Sequence, residues 1–483
     1  MTSEGSFSAS FIPVFSGYLH NQPAQAAWAL AQRVFWTVGL GLAALTVLGA
    51  VFSRQVIGAL TILGGHQARW DLAILLNRII FPAILLIGLA AVASAILNSF
   101  HVFTLPAATP IFFNLALIAF SFGAVYRPIL RRVPEAWWTP AVALAIAILI
   151  GAFVQLAMQV PALMRRGMSF APRVSLTDPG VRAVGRLMAP AFFGMGVYQV
   201  NAFVDMLFAA SSRMPAGSIT SLYVADRVMQ LVLGSYAIAM STALLPTMSH
   251  LLAAGRWNEA KRTFGFSMRI VSFITIPACV GLILLRRPII QVLFQHGNFT
   301  SQSSSLTARA LLYYSLGLPA FAAIKMITPM YYSIQDARTP ARAGAWALGV
   351  NLALNAIFLL FLFRSLANGG PALASSLAAY CNFGALFFLF RRRHGLLGTR
   401  RLAGSFLKMA VCTAGMALAS LGALRFSHFA EARYFPAQAV LLFAMIAFAV
   451  AVYFGLAWLL RCEELGEFLL LLRREEPEMM SVS

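Results

Sequence analysis

The sequence predicts an all-α polytopic membrane protein, and three observations carry that expectation: the composition, the spacing of long apolar runs, and the placement of the arginines. Of 483 residues, 60% are hydrophobic and 11% are charged, and the mean hydropathy is +0.80. Soluble domains carry about 25% charged residues and about 45–50% apolar ones. A soluble chain of this length divides into two or three domains with polar surfaces. This composition cannot cover such surfaces, so lipid is the expected solvent for most of the chain.

A spanning helix needs about 20 mostly apolar residues. Twelve runs qualify: 24–52, 70–98, 105–126, 138–162, 181–210, 217–249, 267–290, 306–333, 341–364, 370–390, 403–424 and 436–460. Pro82, Pro110, Pro190, Pro277, Pro319 and Pro329 interrupt several of them, which spanning helices tolerate where neighbours satisfy the freed backbone. The apolar stretch from Ser6 to Leu19 is too short to span.

The net charge is +21, from 36 Lys+Arg against 15 Asp+Glu. In a soluble protein such a balance points to nucleic acid. Here the basic residues lie in short links between apolar runs, so no nucleic-acid partner is expected, and membrane lipids are. Arg165, Arg166, Arg173 and Arg182 occupy one link. Arg256, Lys261, Arg262 and Arg269, then Arg338 and Arg342, then Arg391, Arg392, Arg393, Arg400 and Arg401 occupy three more. If the runs span in turn, all four links share a side, and the positive-inside rule makes that side cytoplasmic. Arg127, Arg131 and Arg132 depart from the pattern. Cys279, Cys381, Cys412 and Cys462 lie in or beside apolar runs with no CxxC or histidine-rich context, so neither a metal site nor a disulfide framework is expected.

The chain repeats itself weakly. Ser99 and Pro106 recur 234 residues later as Ser333 and Pro340, and the "NLAL" at Asn114 recurs at Asn351. Separately, Pro13 and Ser16 recur 233 residues later as Pro246 and Ser249. Two places with nearly one offset argue for two homologous halves. Pro246 follows a long helix and a further whole helix, whereas twelve residues precede Pro13. The first half is therefore expected to lack about one and a half helices.

Ionisable groups at helix centres cost about 2.5–3.5 kcal/mol on insertion scales and mark candidate functional positions. Arg78, Asp205, Asp226, Arg227 and Lys325 qualify. Asn201 and Asp205 are four residues apart and share a helix face. Asp226 and Arg227 are adjacent, point about 100° apart and cannot pair efficiently. The competing reading for Asp205 and Lys325 is interhelical ion pairing. No HExxH, GxSxG or phosphate-loop pattern occurs, so the residues point to a protein that moves a substrate rather than transforming one. No cofactor is expected.

Several stretches carry a family resemblance: "YVADRVMQL" at 223–231, "LLPTMSHLLAAGRWNEAKR" at 244–262, "VLFQHGNFT" at 292–300, "YYSIQDARTPARA" at 331–343 and "EGSFSASFIPVF" at 4–15. Together with "ILNSFHVFTLPAATPIFFNLALI" at 96–118, these resemble the MurJ/MviN family of lipid II flippases. The resemblance implies two six-helix lobes and two additional C-terminal helices, which rock about a central cavity. It divides the chain into a lobe at 1–163, a lobe at 177–393, two helices within 402–461 and a cytoplasmic tail at 462–483. The implied cargo is lipid II, the undecaprenyl-pyrophosphate-linked peptidoglycan precursor, carried across the bacterial inner membrane. Cell-wall synthesis proteins are further implied partners. Arg227 matches the family's cavity arginine, and Glu4 and Ser8 match the family's second helix. Thr220, Asp226 and Gln230 complete the implied cavity set, with Gln230 standing where the family often has Glu. Arg78, Asn201, Asp205 and Lys325 remain as intramembrane polar and coupling candidates. The family's other cavity arginines have no counterpart here, so residues 1–483 alone are expected not to support flipping. Alternative readings are another exporter of the wider superfamily, carrying a drug or polyprenyl-linked glycan, and a non-transporting scaffold.

Overall fold

The computed structural model describes residues 7, 11–12, 14–19, 22–60, 70–100, 102–125, 139–334, 336, 338–395, 399–426 and 435–467. Most described residues of each of the twelve apolar runs lie on helices, and the described residues contain no strand. Two compact units divide the chain, Met1–Gly196 and Val197–Ser483.

The first unit holds α1 (Ala24–Val51), α2 (Trp70–Ser99), α3 (Thr104–Val125) and α4 (Pro140–Ala157), and α5 (Pro179–Ala209) begins in it. The second unit holds α6 (Ser218–Leu233), α7 (Ala239–Ala253), α8 (Trp257–Phe294) and α9 (Ser301–Ser333). It continues with α10 (Arg338–Phe361), α11 (Gly370–His394), α12 (Thr399–Phe426) and α13 (Phe435–Leu459). Among the described residues, ten helices are long and apolar enough to cross a membrane. The protein is therefore an all-α, multi-pass membrane protein. The runs at 181–210 and 217–249 form α5 and the α6–α7 pair, and these carry Asp205, Asp226 and Arg227. A single π-turn at Gly234–Ile238 joins α6 to α7. Such turns break the helical hydrogen-bond ladder locally and recur near functional positions.

Local chemistry explains the helix starts. Thr139 accepts a hydrogen bond from the Val142 amide (3.3 Å), and Pro140 occupies the first helical position of α4. Thr300 plays the same part for α9 through the Ser303 amide (3.3 Å). Both use a side-chain oxygen to satisfy a backbone donor left without an intrahelical partner.

The two units repeat one packing scheme. α1 packs on α2, and α4 packs on both α2 and α3. In the second unit α8 packs on α9, and α11 packs on both α9 and α10. The serines of the repeat do the same thing: Ser99 Oγ donates to the Ala95 carbonyl (2.9 Å) and Ser333 Oγ to the Pro329 carbonyl (2.7 Å).

Proline removes the hydrogen bond to the carbonyl four residues earlier, and in three cases the structure supplies a replacement donor. Pro110 frees the Pro106 carbonyl, which Thr109 Oγ1 meets at 2.9 Å. Pro277 frees the Phe273 carbonyl, which the Tyr453 hydroxyl of α13 meets at 2.8 Å. Pro329 frees the Lys325 carbonyl, which Ser241 Oγ of α7 meets at 2.8 Å. Two of these donors come from other helices, so the breaks in α8 and α9 also fasten their neighbours.

The appended pair α12–α13 docks on α8. Phe273 is fully buried among Met409, Cys412 and Tyr453. One helical turn away, Arg269 faces Glu463, Glu464 and Glu467 of the turn that follows α13, at 3.4, 3.8 and 3.3 Å.

Candidate functional site

The polar groups of α5 and α6 sort by helix face. Thr220, Tyr223, Arg227 and Leu231, spaced three, four and four apart, form the exposed stripe of α6. Ser221, Leu222, Ala225, Val228 and Met229 form its buried side. Arg227 therefore stands open on its unit, its guanidinium carbon 4.9 Å from the Tyr223 ring centroid. A cation over an aromatic face is attracted by the ring quadrupole. Among the described residues, no carboxylate lies within ion-pairing distance of Arg227.

Asp226 points elsewhere, as the 100° step per residue requires. Its carboxylate accepts a hydrogen bond from Gln230 Nε2 at 2.5 Å. Gln230, read from the sequence as a lost partner for Arg227, is thus the partner of Asp226. The pair lies i,i+4 on one face.

Asp226 also lines a cavity of about 40 Å³ with Asn201, Asp205, Tyr223, Tyr314 and Ser375. A water needs roughly 10–15 Å³ of such volume, so two or three waters, or a cation with part of its shell, fit. Asp205 forms the cavity's buried wall, with 2% of its surface exposed. Three neutral donors surround its carboxyl group. Asn351 Nδ2 (3.1 Å) and Asn355 Nδ2 (2.9 Å) of α10 reach Oδ1, and Ser375 Oγ of α11 reaches Oδ2 at 2.5 Å. Asn201 Nδ2 donates to the same Ser375 hydroxyl at 2.8 Å. The Asn355 Oδ1 acceptor is buried with no hydrogen-bond partner.

The ion-pair reading of Asp205 is therefore replaced. Its described partners are amides and a hydroxyl, and no lysine or arginine among the described residues reaches it. A buried carboxylate without a cation is costly. Three converging donors offset part of that cost and leave the site one positive charge short.

Asn201, Asp205, Asp226 and Gln230 are thus brought together, with Arg227 and Thr220 on the adjoining face of α6. Two sequence candidates stand apart. Lys325 is exposed on α9 and does not line the cavity. Arg78 is exposed on α2 in the other unit, next to Asn77, whose amide donates to Ser53 Oγ (2.9 Å). Glu4 and Ser8 lie outside the described residues. The sequence reading missed Asn351, Asn355 and Ser375. A signal was present, because Asn351 and Asn355 are four apart in an otherwise apolar run, but a search for charges passes over neutral amides.

The family model for "Lipid II flippase MurJ" matches residues 1–444. This chain belongs to the lipid II flippase MurJ family. A family protein of Vibrio cholerae, named "Probable lipid II flippase MurJ", is 35% identical over 393 residues, covering 80% of this chain and 72% of that protein. The Rhizobium tropici protein of the same name is 31% identical over 483 residues, covering 98% and 87%. A solved structure of "Lipid II flippase MurJ, inward closed conformation" superposes with a TM-score of 0.72 at 24% identity, covering 94% of this chain and 89% of that one. At that identity the likeness speaks for the fold. The repeated helix scheme described above is thus set in a MurJ fold.

Proposed function

We propose that this chain translocates lipid II across the bacterial inner membrane, by exposing its binding site to the two faces in turn; depletion–complementation in cells lacking their own flippase decides between this reading and the expectation from the sequence that residues 1–483 alone do not support flipping. Membership of the lipid II flippase family supports the cargo. The observation that carries the site is Arg227, a permanently charged group in a helix of the membrane bundle, open on its surface while the adjacent Asp226 hydrogen-bonds Gln230. Guanidinium binds phosphate oxygens in pairs, with a planar fork that matches a pyrophosphate. Thr220 lies two turns away on the same stripe, where a hydroxyl can add a further hydrogen bond.

Asp205 we assign to the coupling cation, the proton included. The cavity, the surplus negative charge and the unpartnered Asn355 Oδ1 support that reading. Asp226 borders the cavity and precedes Arg227 in the chain, so a change at the cation site reaches the cargo site within one helix. The lobes at 1–163 and 177–393 would move against each other, with the helices of 402–461 providing an apolar groove for the prenyl tail and 462–483 a cytoplasmic tail.

Binding of lipid II to the purified chain in nanodiscs tests the assignment of Arg227. A charge-assisted hydrogen bond contributes about 1.5–3 kcal/mol, so R227Q is expected to weaken binding by roughly 10- to 100-fold. R227K retains the charge without the fork and falls between. Binding of neutral undecaprenol stays unchanged. Lipid II binding by R227Q equal to that of the unaltered chain would overturn the assignment.

A further inference from the structure

The first unit contains a second cavity, far larger than the polar one and of opposite character. It is an open groove of about 450 Å³ between α1 and the start of α5. Val34, Val38 and Leu42 of α1 and Val184 and Met188 of α5 form its walls. Two glycines open it, Gly41 on α1 and Gly185 on α5. A side chain added at either position would meet nothing within 4 Å.

Both glycines lie inside helices. There glycine costs about 1 kcal/mol relative to alanine, and in membranes small residues normally let neighbouring backbones approach closely. Here a Cβ at either position would meet open space, and both glycines line the groove, so together they widen it. An apolar space beside membrane helices holds neither vacuum nor water at low cost. A hydrocarbon chain is the filling the surroundings supply. At roughly 10–15 Å³ of such volume per water-sized group, the groove has room for a fatty acyl chain.

The outer end of the groove is polar. The Ser175 amide donates to Thr37 Oγ1 (3.3 Å), and Arg33 pairs with Asp178, whose Oδ1 caps α5 through the Gly180 and Val181 amides at 2.9 and 3.1 Å. Arg182 lines the groove one turn into α5. Its Nε donates to the Leu176 carbonyl at 3.1 Å, and no carboxylate among the described residues lies within ion-pairing distance of it. Arg173 and Arg186 are exposed nearby in sequence. Basic groups flanking an apolar cleft on the arginine-rich side of a membrane recognise anionic headgroups.

We propose that this groove binds one anionic glycerophospholipid of the cytoplasmic leaflet, an acyl chain seated over Gly41 and Gly185 and the phosphate on Arg182. Selectivity arises at the headgroup, because a hydrocarbon chain gains little on leaving the bilayer for another apolar surface. The groove holds the acyl chain and Arg182 the phosphate, so altering either end changes binding in its own way.

The test is native mass spectrometry of the purified full chain, delipidated and then offered phosphatidylglycerol or phosphatidylcholine with identical acyl chains. The unaltered chain is expected to retain one phosphatidylglycerol, at least fivefold over phosphatidylcholine. G41L/G185L places side chains in open space, leaves the thermal melt within a few degrees, and loses retention of both lipids. R182Q keeps one lipid and loses the preference. Equal retention of phosphatidylglycerol by G41L/G185L and the unaltered chain would overturn the site, as would displacement of phosphatidylglycerol one-for-one by lipid II. Unchanged headgroup preference in R182Q would overturn the part assigned to the arginine.

Discussion

At the scale of single residues, the buried carboxyl of Asp205 shows how a membrane protein keeps an acid without a salt bridge. Asn351, Asn355 and Ser375 aim donors at its two oxygens, and each bond gains strength from the low dielectric around it. An asparagine at this position turns an N–H₂ group toward one of those donors. D205N is therefore expected to cost about 1–3 kcal/mol of stability, read from thermal melts. Lipid II binding through Arg227 persists while net transport in proteoliposomes is lost. Full transport by D205N would remove Asp205 from the coupling assignment. The charged residues were legible in the sequence because ionisable groups are rare in apolar runs. Their partners were not, because only packing brings α10 and α11 against α5.

At the scale of elements, the docking of α12–α13 on α8 rests on two contacts of different physics. Tyr453 satisfies the Phe273 carbonyl that Pro277 frees. Arg269 meets three carboxylates, among them Glu464 with 1% of its surface exposed. Y453F leaves a buried carbonyl unmatched and is expected to cost about 1–3 kcal/mol, independent of pH. R269Q strands a buried negative charge and is expected to cost about 3 kcal/mol near neutral pH. Burial raises the Glu467 carboxyl above its usual value, and Arg269 opposes that rise. A raised folded-state value means the folded chain holds more protons than the unfolded one, so stability falls as pH rises through that range. Without Arg269 the penalty is larger, and it shrinks as pH falls and Glu467 takes up its proton. Melts of R269Q at pH 5 and pH 8 check this, and a deficit that grows on acidification would contradict it. The prolines in these helices could be read from the sequence as tolerable. Which donor answers each freed carbonyl could not, because the donors lie up to 180 residues away.

At the scale of the whole molecule, the asymmetry of arginines predicts that the links at 163–182, 255–269, 335–342 and 391–401 lie in the cytoplasm. Ser169 and Ser212 are exposed in successive links. In a chain whose four cysteines are replaced by alanine, S169C is expected to react only with a membrane-permeant maleimide. S212C reacts with an impermeant one added to spheroplasts. The reverse labelling would invert the topology and move the lipid groove to the other leaflet.

Composition and periodicity by themselves determined the solvent, the helical class, the twelve runs and the internal repeat, because each depends on local hydrophobicity or chain spacing. They also singled out Asp205, Asp226 and Arg227, because charge in an apolar run stands out without neighbours. Tertiary structure alone decided what those charges face. Asp226 turned to Gln230, Arg227 was left open over Tyr223, and Asp205 met amides where an ion pair was the competing expectation. The groove over Gly41 and Gly185 belongs to the same class. In sequence these two glycines look like any others, and only the way α1 and α5 lie together brings them into one groove.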